Sequence, residues 1–148
     1  MYPIVLGLHN ITRWIVLIVG VVAVVRAFMG WFGKKPWVDL DNKLGLYFTI
    51  SMDVQLLLGL LLYVVLSPIT TAAFSDFGAA MGDPTVRFWL VEHIFMMIVA
   101  VILAHVGRTL SKKAATDVSK HQRAAIFFTL AIVAVLAAIP WFRPLLPF

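Results

Sequence analysis

The chain has 148 residues, of which 62% are hydrophobic and only 13% charged. With a mean hydropathy of +0.99, a soluble domain of this size is excluded, because it could not hide so much apolar sequence. The absence of cysteine excludes disulfides, thiolate metal sites, iron–sulfur clusters and covalently attached c-type haem.

Four apolar runs, near 4–28, 44–66, 86–108 and 124–142, are each long enough to cross a bilayer. Their unbroken character fits helices rather than the period-two strands of a barrel. The expected fold is therefore all-α: an integral membrane four-helix bundle, one domain over 1–148. The first run has no Lys or Arg before it and continues too far to be a signal peptide, so it is read as a retained helix.

The net charge of +5 follows topology rather than nucleic acid. Of 12 Lys and Arg, nine flank two connections: Arg26, Lys34, Lys35 and Lys43, then Arg108, Lys112, Lys113, Lys120 and Arg123. The 67–86 connection has none and carries Asp76 and Asp83. Basic loops stay in the cytoplasm, so both termini and the 67–86 connection are expected outside. The lipid bilayer is the partner this charge pattern implies, with anionic headgroups near the basic loops.

Helix 1 carries His9 and Arg13, four residues apart and so on one face. If the span covers 4–25, His9 lies about 9 Å inside the outer surface; if it covers 11–32, His9 sits among headgroups. The apolar residues before His9 favour immersion. The following loop, with Trp31, Trp37, Lys34 and Lys35, has the composition of an interfacial anchor. In helix 2, Asp41 or Asn42 is the expected N-cap, and Ser51, Gln55 and Gly59 form a small polar stripe fit to face another helix. Asp53 points away from that stripe and needs a partner. Arg13 is the nearest in depth, and a structural Asp–Arg pair is weighed against proton transfer.

The 67–85 segment reads as turns, with Phe74 and Phe77 dipping into the interface and Asp83-Pro84 starting helix 3. Arg87 and Arg108 bracket helix 3, which carries Glu92, His93 and His105. Ionisable groups inside a membrane helix are costly and so are functional candidates. His93 lies roughly 10 Å deep, at the level of His9. His105 is twelve residues further on, about 120° off that face, so the two histidines of helix 3 do not serve one column of cofactors. His121 is expected at the interface, between Lys120 and Arg123, with Ser119 as the cap of helix 4. Helix 4 itself is plain.

Two chemistries fit this set. A b-type haem needs an apolar slot, neutral imidazoles as axial ligands and cations for its propionates. His9 and His93 are the candidate ligands, Arg13 and Arg87 the candidate propionate contacts, and His105 with His121 a weaker second pair. Alternatively the chain is a cofactor-free accessory subunit of a respiratory or photosynthetic membrane complex, with Glu92, His93, Asp53 and Arg13 as an internal polar network. A quinone site, with His93 or Asp53 taking protons, is a third reading. A transporter lacks the broken helices it would need, and no phosphate loop, nucleophile elbow or zinc motif is present.

The pieces H-N-I-T-R-W, L-D-N-K-L-G-L, V-Q-L-L-L-G-L-L-L-Y, V-E-H-I-F-M-M and H-Q-R-A-A-I-F-F occur in this order. Over most of its length the chain resembles a family of small four-helix bacterial membrane proteins labelled cytochrome-b-like. The resemblance implies that His9 and His93 match the family's histidines on helices 1 and 3. Similar sequences are expected to carry histidine where this chain has Asp53, a departure that argues against a haem ligand on helix 2. The sequence thus predicts a haem-binding electron-transfer or accessory subunit, multi-pass in a bacterial inner membrane, acting with other subunits of a complex.

Overall fold

A computed structural model describes residues 1–143. Helix α1 runs over Tyr2–Phe32, opened by a proline in its first turn, where the missing N–H costs nothing. It ends in a Schellman-type turn: the Lys34 amide returns to Trp31 O and the Lys35 amide to Gly30 O, with Lys34 in the left-handed region at φ 49°. His9 is therefore well inside the first helix.

Helix α2, Asp39–Leu61, begins earlier than predicted. Val38 is its cap, and Asp41 sits in the first turn, accepting the Val38 N–H at 2.9 Å. The same carboxylate holds Arg26 of α1 at 2.7 Å, so one buried acid both starts α2 and ties it to α1. The helix continues as a π-helical segment, π1, Leu62–Leu66. The connection that reads as turns contains two short helices instead, α3 Pro68–Ala73 and α4 Phe77–Gly82, capped by Ser67 and Asp76.

Asp83 and Pro84 start the third span as expected. The Asp83 carboxylate accepts from the Thr85 and Val86 amides. This span comprises α5 Pro84–Arg87, a second π-helical segment π2 Phe88–Glu92, and α6 His93–Lys113. Helix α7, Asp117–Ala138, starts ahead of the predicted 124, capped by Thr116 rather than Ser119. Its opening residues are polar but helical because they pack onto the first loop. It stops before Pro140, which disfavours helix in the residue preceding it.

Four helical stretches, Tyr2–Phe32, Asp39–Leu66, Pro84–Lys113 and Asp117–Ala138, are long and apolar enough to cross a membrane. The chain is an all-α four-helix bundle and a multi-pass membrane protein. Helices α1 and α6 each pack against both α2 and α7, closing a square. Large apolar side chains such as Ile18, Leu57 and Phe95 point outward, each more than 60% exposed, as lipid-facing residues do. The core is built of small residues, with Ala100 and Ala104 of α6 meeting Ala124, Ala131 and Ala134 of α7 around Phe48 and Phe128. Alanine lets these two helices approach closely where no hydrophobic effect drives them together.

Candidate functional site

The bundle is not filled along its whole length. Toward the end that carries Tyr2, Ser67 and Ile139, a cavity of about 130 Å³ opens between all four spans. That is room for roughly ten water-sized spheres, well beyond one bridging water. Its walls are mostly apolar: Val16, Met52, Leu56, Met97, Val101 and Val135 line its deeper part. Both π-helical segments flank it, and the Tyr63 hydroxyl in π1 donates to Leu90 O in π2 at 2.8 Å. Single π-turns interrupt a helix at an energetic cost and recur at functional sites; here they hold the second and third spans together beside the open volume.

His9 and His93 both line this cavity. Their ring centres are 6.4 Å apart, with the planes at 63°. His93 Nδ1 lies 2.8 Å from Ala138 O. A carbonyl can only accept, so Nδ1 carries the hydrogen and the Nε2 lone pair remains for other work. His9 Nδ1 is buried against α2, 3.7 Å from where a Cβ of Gly59 would lie, and has no hydrogen-bond partner. Gly59 makes this seat: a Cβ there would lie 3.2 Å from His9 Cε1. Gln55 fixes the level of the ring, its amide donating to His9 O at 3.0 Å while its carbonyl accepts from Thr12.

Two rings bound on opposite sides of one metal, each through a bond of about 2 Å, have centres roughly 6 Å apart. The observed distance between ring centres is of that size. Among the described residues no group of three or more His, Cys, Asp or Glu is placed to hold a bare metal ion. His9 and His93 alone could hold a metal only together with donors supplied by a cofactor. Trp89 and Phe88 pack on the His93 ring with centres 5.6 and 5.8 Å away. Arg13 is buried, one turn deeper than His9, and lines the same cavity; Arg143 lines it at the other extreme.

The remaining sequence candidates lie elsewhere. Arg87 does not line the cavity. Its guanidinium donates to Glu92, the last residue of π2, at 2.9 Å and to Met81 O at 3.4 Å, and both side chains of the Arg87–Glu92 pair are exposed. Arg87 is corrected as a propionate contact, and Glu92 as a member of an internal network. Asp53 takes His105, not Arg13, as its partner, at 2.8 Å across the α2–α6 contact. This pair sits on the outside of the bundle, with both side chains nearly half exposed. The 120° turn between His93 and His105 is the reason: one ring faces in, the other out.

His121 is also corrected. It is 2% exposed, with its ring 4.8 Å from that of Trp37 and 3.4 Å from Pro36 O. It lies so close to Gly30 that any Cβ there would overlap the imidazole. The loop folds back over α7 and buries what local charge marked as interfacial. His105 and His121 thus have separate surroundings and form no second pair.

Three residues at the site gave little sequence signal. Trp89 was detectable only as the residue one turn before His93, on the same face. Tyr63 reads as an interfacial aromatic, and Arg143 as an anchor after the last helix. Comparison with family models, curated proteins and solved structures returns no match.

Proposed function

We propose that this chain binds one haem b between His9 and His93 and serves as an electron-transfer subunit of a complex in a bacterial inner membrane. The observation that carries the reading is the pair of imidazoles, from separate helices, with ring centres 6.4 Å apart inside a mostly apolar cavity. A bis-imidazole haem supplies reversible one-electron transfer. The chain's own residues orient and protect that centre. The Ala138 carbonyl holds the His93 tautomer and makes the ring a stronger donor. Gln55 and Gly59 set the height and the seat of His9. Met97, Val101 and Val135 keep the deeper volume dry. By the distribution of Lys and Arg, the pair lies in the outer half of the membrane.

The subunit assignment has its own support. Asp53 lies midway along the Asp39–Leu66 span, and with His105 it faces away from the bundle. Such groups in a membrane normally face protein or a water-filled cavity, which favours a neighbouring subunit over lipid on the α2–α6 face. The same observation favours the second reading, a cofactor-free accessory subunit.

A reduced-minus-oxidised absorption spectrum of the detergent-solubilised protein separates the two. The expected result is a six-coordinate low-spin b-type spectrum, lost in both His9→Ala and His93→Ala while helical content is retained. A colourless protein that co-purifies stoichiometrically with a larger complex overturns the haem reading in favour of the accessory one.

A further inference from the structure

The two ends of the cavity differ chemically. The deep end is apolar apart from Arg13 and Gln55, and Gln55 is committed at both ends to α1. At the mouth stand Tyr2, Trp89 and Arg143. The Trp89 indole N–H is buried and makes no hydrogen bond, an unusual state for a group that is a donor only. The Arg143 guanidinium lies over the same indole, 5.0 Å from the ring centre, an arrangement that holds a cation in place. At the mouth the Arg143 guanidinium lines the cavity, and the Trp89 N–H beside it is buried without a hydrogen-bond partner.

We propose that the mouth of the cavity is a carboxylate-binding site, in which Arg143 and the Trp89 N–H receive the acid groups of the bound cofactor. This rests on the haem reading, since a haem carries its two propionates on one edge. Trp89 bridges the two parts of the site. Its ring packs against His93, and it stands about 6 Å, one turn, nearer the mouth. On the haem reading, Arg143 and Trp89 would hold the acid groups, and Met52, Met97 and Val135 would supply apolar walls. The opposite orientation would bring carboxylates to Arg13 and strip them of water in the apolar part of the bundle, at a larger desolvation cost. At the mouth, water and a charge-assisted hydrogen bond act together.

The test titrates cofactor-free protein, in detergent, with protohaem and with its dimethyl ester, which has the same ring but no carboxylates. Binding is read from the Soret band. Wild type is expected to bind the free acid about tenfold or more tighter than the ester. Arg143→Gln and Trp89→Phe are each expected to shrink that preference, read as the ratio of the two affinities, and Arg143→Lys to restore part of it. Circular dichroism checks that each variant is folded. Equal binding of both ligands by wild type overturns the carboxylate site and leaves the haem reading standing. So does a preference that survives Arg143→Gln but disappears in Arg13→Gln, which would mean the opposite orientation. Failure of wild type to take up either ligand overturns the haem reading and this inference with it.

Discussion

At Gly59 an added methyl group would press on His9 Cε1 at 3.2 Å, closer than such carbon atoms comfortably approach. An alanine there is absorbed by a shift of a few tenths of an ångström, but a β-branched side chain is not. Under the proposed haem reading, Gly59→Val is therefore expected to displace the His9 ring, lose the six-coordinate spectrum and weaken haem retention, with helical content unchanged. Spectra of the purified variant in both oxidation states check this. The level shared by His9 and His93 was legible in the sequence, because depth along a helix follows from counting residues. The partner of Asp53 was not. By depth Arg13 reads as the nearest partner, and the actual choice of His105 depends on how α1, α2 and α6 are rotated about their axes. That rotation is set by Gly59, Gln55 and the alanines of α6, through contacts with residues distant in the chain.

Helix boundaries show where local signals suffice and where they fail. Asp83-Pro84 starts the third span as read, since the cap needs only its own neighbours. The start of α7, read at a Ser119 cap, lies slightly earlier, with Thr116 as the cap. Asp117 to Arg123 has no apolar face strong enough to announce a helix, yet it is ordered by His121 inserting between Trp37 and Gly30. That insertion joins the first loop to the fourth helix. It depends on the absence of a side chain at Gly30, where any Cβ would overlap the imidazole, and both groups are held by rigid helices. Gly30→Val is expected to cost about 1–3 kcal/mol and to lower the thermal midpoint in detergent by several degrees. His121→Ala in the same background removes the clash and is expected to recover part of the loss. Because this site lies at the basic end of the bundle, away from the cavity, the spectrum of the remaining folded protein should not change.

For the whole molecule, the charge distribution and the cavity give one polarity. The basic connections sit at the end where α1 meets α2 and α6 meets α7, and the cavity opens at the other end, beside Tyr2, Ser67 and Arg143. Basic loops are expected on the cytoplasmic side, which under the proposed function puts the cavity mouth, and with it the proposed electron exchange, on the outer side. The four spans were legible because apolar length needs no tertiary knowledge; the cavity was not, since an unfilled volume is a property of four helices at once. Orientation has a direct test, because the chain has no cysteine of its own. Ser75→Cys, in the turn between α3 and α4, is expected to react with a membrane-impermeant maleimide in intact spheroplasts. Lys112→Cys, near the end of α6, is expected to react only after the membrane is opened. The reverse pattern would turn the Arg143 mouth toward the cytoplasm and require the electron partner to be sought on that side. The histidine spacing would be untouched, because it depends on helix packing and not on which face of the membrane the bundle presents.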